Sequence, residues 1–117
     1  MRRRGEIWLA NLNPGGGTEP GKTRPVLIIQ SQALLDAGHP STMVVPLSTR
    51  LIEESEPVRV RLRARESLQR DSDILLDQVR AIDNRRFKGG AIAQCPAATL
   101  AKVDEALRQM LDLALTP

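Results

Sequence analysis

Aromatic residues are nearly missing from this 117-residue chain: Trp8 and Phe87 are the only two, and tyrosine is absent. Two rings cannot supply the row of stacking surfaces on which the usual single-strand binders hold successive bases. Cysteine occurs once, as Cys95, which excludes an intrachain disulfide and a cysteine-rich zinc site and favours a reducing compartment. Histidine also occurs once, and His39 has no second histidine with which to anchor a metal. Neither a metal nor a cofactor is therefore expected. Gly15-Gly16-Gly17 lacks the glycine-lysine-serine/threonine ending of a phosphate-binding loop. No apolar run approaches membrane-spanning length. The basic stretch Met1-Arg2-Arg3-Arg4 leads only to the short run Ile7-Trp8-Leu9-Ala10, too brief for a secretory signal. The expectation is a soluble, cytoplasmic protein without membrane contact.

What remains is enough for one modest core and one domain spanning residues 1–117, with 41% apolar and 26% charged residues. The net charge of +3 is unevenly spread: up to residue 65, ten basic residues face six acidic ones, and beyond it acids slightly outnumber bases. A basic excess confined to one part of the chain points towards a polyanionic partner.

Periodicity orders the elements. Residues 5–12 read as a strand, with Ile7 and Leu9 on one face and Trp8 and Ala10 on the other. The following loop, residues 13–23, holds four glycines and two prolines and reads as a mobile surface loop outside any regular element. Val26-Leu27-Ile28-Ile29 is an unbroken apolar run, expected to be buried on both faces. Residues 31–37 suit one or two helical turns, and residues 42–47 a third strand whose edge or end Pro46 should mark. Residues 58–65 alternate strictly, which places Arg59, Arg61, Arg63 and Arg65 on one face; a solvated face is the plainer reading and a nucleic-acid track the bolder one. Residues 74–76 and 78–82 add one long or two short strands. After Pro96, placed at a first helical position, Leu100, Val103, Leu107, Met110, Leu111 and Ala114 follow helical spacing. One amphipathic helix on a curved sheet of five or six strands is expected. Glu53, Glu54 and Glu56 read as solvated acids, and Cys95 more readily as a small buried hydrophobe than as a reactive thiol.

The run from Gly17-Thr18-Glu19-Pro20-Gly21-Lys22-Thr23-Arg24-Pro25 through Val26-Leu27-Ile28-Ile29-Gln30 closely resembles the signature of the PemK/MazF family of toxin ribonucleases. Arg4-Gly5-Glu6-Ile7-Trp8 resembles the family's opening strand. Val44-Val45-Pro46-Leu47-Ser48-Thr49 resembles its third strand, and Asp77-Gln78-Val79-Arg80-Ala81-Ile82-Asp83 its glutamine-containing strand. The C-terminal helix fits as well. Ser31 and the segment from Arg50 to Pro57 depart from the pattern, which leaves substrate selectivity open.

The resemblance implies a mainly β fold with a C-terminal α-helix, a CcdB/PemK-type SH3-like barrel. It also implies a homodimer, single-stranded RNA as substrate, and a cognate MazE-like antitoxin that blocks the RNA groove with an extended, often acidic segment. By the same resemblance Arg24 and Thr49 match the family's catalytic residues. The implied reaction is attack of a ribose 2′-hydroxyl on the adjacent phosphorus, leaving a 2′,3′-cyclic phosphate and a 5′-hydroxyl. Because a guanidinium with a pKa above ~12 is a poor base, Arg24 is assigned first to stabilising charge on the phosphorane, with proton donation to the leaving oxygen second. The Thr49 hydroxyl would donate to a phosphate oxygen and Ser48 assist. Glu19 is the candidate for orienting Arg24 or accepting a proton; Lys22 and Thr23 would close over RNA, and Gln78 and Arg80 contact it. Two alternatives stand beside this reading: a CcdB-like toxin that binds gyrase without cleaving, and a basic SH3-like module that binds RNA without cutting it.

Overall fold

A strand that is apolar at every position needs hydrophobic partners on both faces, and the architecture is arranged around that demand. The computed structural model describes residues 1–19 and 21–114; Pro20, within the glycine-rich motif, and residues 115–117 lie outside the described residues. The elements are β1 (Glu6–Asn11), β2 (Thr23–Ile28), α1 (Gln32–Asp36), β3 (Ser41–Ser48), β4 (Arg59–Leu62), β5 (Ser72–Leu75), β6 (Arg80–Asp83), β7 (Phe87–Gln94) and α2 (Ala97–Met110), with 3-10 turns at Leu76–Gln78 and Asn84–Arg86. The strands form an antiparallel sheet in the order β4-β5-β3-β2-β1-β7, with β6 also paired to β3.

Successive residues of β1, β2 and β3 enter two different cores. Ile7, Leu27, Ile29, Val45, Leu47 and Ile74 pack on one face with Val103 and Ala106 of α2. Trp8, Ala10, Leu12, Val26, Ile28, Val44 and Ile82 pack on the other, where Leu35 of α1 and Phe87 cover them. Burying a side chain such as Leu27, which has no exposed surface, stabilises the fold by about 1.5–3 kcal/mol. The unbroken run of β2 is thus satisfied on both sides, as its sequence requires.

Several sequence expectations are corrected. Pro46 lies inside β3, opposite Val26, at the step where the other partner of β3 changes from β6 (paired with Ser41–Val44) to β5 (paired with Leu47 and Ser48). A residue without an N–H is tolerated where that ladder is interrupted. The arginine face of residues 58–65 is not formed: β4 ends at Leu62, Arg63 and Arg65 lie in the following turn, and Arg59 and Arg61 are bonded to the buried Asp73. Strand β7 was not anticipated. Its register against β1 shifts between Trp8↔Ala91 and Leu9↔Lys88, so Gly89 and Gly90 form a bulge, which Gly89 accommodates at φ +67. Pro96 caps α2 one residue before its first turn. The sheet and its turns reach only Leu100, Val103, Ala106 and Leu107; Met110, Leu111 and Ala114 remain exposed. Among the described residues, no helix is long and apolar enough to cross a membrane.

Candidate active site

Among its described residues, the glycine-rich connection between β1 and β2 makes hydrogen bonds of its own. The Leu12 N–H donates to the Lys22 carbonyl at 2.8 Å, and the Lys22 N–H donates to Asn13 Oδ1 at 2.6 Å. These bonds hold Lys22 at a φ of 65, uncommon for a side chain of its kind. Further out, Gly16 and Glu19 exchange backbone hydrogen bonds at 3.3 and 2.8 Å. Between these rungs Gly15 lies so close to the returning strand that a Cβ there would stand 2.7 Å from the Gly21 nitrogen. The composition that disfavours a regular element instead permits a narrow two-stranded ribbon.

Three arginines face the root of this ribbon. Arg24, half-buried in β2, donates its Nε to the Gly21 carbonyl at 3.0 Å. Arg80 donates Nη1 to the Leu12 carbonyl at 3.4 Å, and Arg86 donates Nη1 to the Asn11 carbonyl at 3.0 Å and to the Asn13 carbonyl. Among the described residues none of the three forms a salt bridge with a carboxylate, although the charge of Arg86 reaches Asp83. A guanidinium has five N–H donors, so each retains donors for an anion. Arg86 was missed by sequence reasoning, because nothing in Asn84-Arg85-Arg86 distinguishes it from an ordinary basic turn. The Arg85 side chain beside it turns instead to Asp83 at 3.0 Å, and this pairing, with the Arg85 N–H, lowers the Asp83 carboxyl to about 2.

On the neighbouring strand, Ser48 ends β3 and Thr49 is the first residue beyond it. Ser48 Oγ accepts the Arg50 N–H at 3.1 Å, which turns the chain there. Thr49 is exposed and borders a shallow cleft with Leu9, Pro25, Leu47 and Ile92. The Val26↔Pro46 register, continued for two residues, sets Arg24 opposite Ser48, so Arg24 and Thr49 lie at the same end of the β2–β3 pair. By strand alternation Arg24 shares the face of Val26 and Ile28, while Thr49 follows Leu47 towards the other. Among the described residues no hydrogen bond joins Arg24 to Thr49, or either to Glu19. The group that Arg24 bonds is the Gly21 carbonyl. Lys22 and Thr23 are exposed at the ribbon's root, and Gln78 Nε2 meets Thr18 Oγ1 at 3.5 Å.

The residues discounted from sequence lie apart from this cluster. Cys95 is buried, and burial pushes its thiol up to about 11. Glu53 is exposed and pairs with Arg61 at 3.2 Å.

Residues 3–111 match a family described as PemK-like, MazF-like toxin of type II toxin-antitoxin system. "Endoribonuclease EndoA" of Bacillus subtilis (strain 168) is 36% identical over 115 residues, covering 95% of this chain and 95% of that protein. MazF from Deinococcus radiodurans superposes with a TM-score of 0.77 at 27% identity, over 95% of this chain and 96% of that one. A MazE-MazF structure from the same organism superposes with a TM-score of 0.67 at 25% identity, over 96% and 98% of the respective chains. The chain belongs to the PemK-like, MazF-like family of toxins. It is a MazF-type endoribonuclease toxin of a type II toxin-antitoxin system, and the gyrase-binding alternative is set aside.

Proposed function

We propose that this toxin cleaves single-stranded RNA without a metal ion, by attack of a ribose 2′-hydroxyl on the adjacent phosphorus. A 2′,3′-cyclic phosphate and a 5′-hydroxyl result. The substrate carries its own nucleophile, so the protein's task is to position the phosphate and stabilise the charge that develops on it. Arg24 supplies the principal charge and Thr49 a hydroxyl donor to a phosphate oxygen, with Ser48 assisting. Lys22, Thr23, Gln78 and Arg80 line the RNA path along the ribbon. The observation that carries this reading is the meeting of Arg24, Arg80 and Arg86 at the ribbon root, without a salt bridge to any carboxylate among the described residues, beside the end of β3 that bears Ser48 and Thr49. Restriction to RNA follows from the need for a 2′-hydroxyl.

The chain acts as one MazF-like domain whose sheet curls into an SH3-like barrel. Support for closure comes from the turn after β4, where the Ser67 N–H donates to the Ile92 carbonyl of β7 at 2.9 Å. A homodimer would cover the exposed Met43, Leu111 and Leu113, which border one cleft. A MazE-like antitoxin would set an acidic segment against the three arginines; a MazE-MazF structure exists for a relative. The cytoplasm is the site of action, where a lone thiol stays reduced.

The test is cleavage of a long single-stranded RNA in excess EDTA, beside Arg24→Ala, with fragment ends identified. Discrete fragments ending in cyclic phosphate from the unaltered protein alone support the reading. Intact RNA in both reactions would favour binding without cleavage.

A further inference from the structure

Thr49 leaves β3 into residues 50–58, which have no helix or strand of their own, so something other than a sheet ladder must fix where its hydroxyl stands. The segment is held from β4 and β5. Asp73 on β5, paired with Ser48 across the sheet, is only 1% exposed. Its Oδ2 accepts the Ile52 N–H at 2.9 Å and Arg59 Nη1 at 3.2 Å, while its Oδ1 accepts Arg61 Nε at 2.6 Å. Arg59 Nη1 also donates to the Arg50 carbonyl at 2.9 Å. One guanidinium therefore joins the buried carboxylate to the residue that follows Thr49.

An apolar side chain would serve the core at least as well as this cluster, because taking charges out of water offsets much of what their attraction returns. What the cluster adds is direction: its bonds end on the backbone of Arg50 and Ile52. We propose that Asp73 and Arg59 are positioning residues for RNA cleavage, clamping the Arg50–Ile52 backbone and thereby setting the Thr49 hydroxyl. This rests on the role given to Thr49 above.

The test is single-turnover cleavage of a short oligoribonucleotide carrying the mapped site, comparing the unaltered protein, Arg59→Gln, Thr49→Ala and the double variant. Loss of the clamp should lower the rate at saturating protein about tenfold or more, as small misplacements of catalytic groups do. The half-saturating concentration and its salt dependence should change little. On a Thr49→Ala background, Arg59→Gln should have almost no further effect, because the two changes act through one group. Arg59→Lys, which keeps the charge and a single donor nitrogen, should recover part of the rate, and it is the variant to read if Arg59→Gln does not fold. A raised half-saturating concentration with a shallower salt dependence would make Arg59 a phosphate contact and overturn the proposal. So would additive losses, or an unchanged rate for Arg59→Gln when Thr49→Ala is impaired. Full activity of Thr49→Ala would instead remove the role of Thr49 itself, and the clamp with it.

Discussion

Replacing Arg24 by lysine separates what its charge does from what its shape does. The Arg24 Nε is engaged by the Gly21 carbonyl at 3.0 Å, which leaves the two Nη groups as a fork for a phosphate. A lysine ammonium at this position serves the carbonyl or the phosphate but does not reproduce a two-pronged grip held from behind. Loss of one donor to developing negative charge costs about 2.7–4 kcal/mol, a factor of ~10²–10³ in kcat. Arg24→Ala should fall in or beyond that range, and Arg24→Lys should recover only part of it. The cost to stability is smaller: the bond to Gly21 is the only hydrogen bond of the Arg24 side chain among the described residues, and such a bond contributes about 0.5–1.5 kcal/mol. The assay is single-turnover cleavage over a range of protein concentrations, with chemical denaturation of each variant alongside. A rate for Arg24→Ala within about threefold of the unaltered protein would refute the assignment, set against the loss expected for a charge-stabilising donor. A loss seen only in affinity would refute it equally, because it would show binding without stabilisation of the transition state.

Gly15→Ala would place a Cβ 2.7 Å from the Gly21 nitrogen, whereas one at Gly16 meets nothing within 4 Å. Cleavage should therefore fall for the first and hold for the second, and equal activities would show that the closed ribbon is not needed. Leu27→Ala should lower unfolding stability by about 2–5 kcal/mol in urea titrations, since Leu27 is fully buried between β1 and β3; a loss under about 1 kcal/mol would contradict its place in the core. Burial raises the Asp73 carboxyl, but the bonds from Arg61, the Ile52 N–H and Arg59 outweigh it and leave the pKa below its ordinary 3.8. The folded state binds that proton less readily than the unfolded state, so the contribution of Asp73 to stability is present above that ordinary value and is lost as pH falls through the lowered one. The stability difference between the unaltered protein and Asp73→Asn should shrink over that acid range, and a difference that grew on acidification would reverse the sign. Cys95 should resist alkylation at pH 8 until the protein unfolds, because its buried thiol is raised to about 11; rapid labelling of the folded protein would contradict this.

How much was legible in the sequence depended on whether a residue's surroundings repeat along the chain. Strands β1 to β3 and helix α2 carry their periodicity locally, and the run Val26-Leu27-Ile28-Ile29 announced burial on both faces before any partner was known. Strand β7 did not, because its bulge at Gly89 and Gly90 breaks the period that would have revealed it. The alternating arginines of residues 58–65 were legible as a pattern but misleading as a surface. Asp73, on the next strand, draws Arg59 and Arg61 inward, and the alternation of residues 58–65 by itself does not contain that pairing. The family resemblance placed Arg24 and Thr49, and the fold sets them at one end of adjacent strands. The third arginine of the cluster, Arg86, depends on the approach of the Asn84–Arg86 turn to Asn11 and Asn13, a contact between segments more than seventy residues apart.

The location of the cluster follows from the same two-sided burial. A sheet packed on both faces offers few places where a polar side chain can be both rigid and wet. Within the central strands, alternate residues point into one core or the other, and a charged group there would be stripped of water. At the strand ends the ladder still fixes the backbone while the side chains come free of the cores. Arg24 stands near the start of β2, two residues before the buried Val26, and Thr49 just beyond β3, two residues after the buried Leu47. The antiparallel pairing brings that start and that end together. Residues separated by most of a hairpin and a short helix thus come to one end of the sheet, Arg24 within a strand that the cores hold still and Thr49 one residue beyond such a strand, and a site that relies on placement rather than on unusual chemistry requires that stiffness.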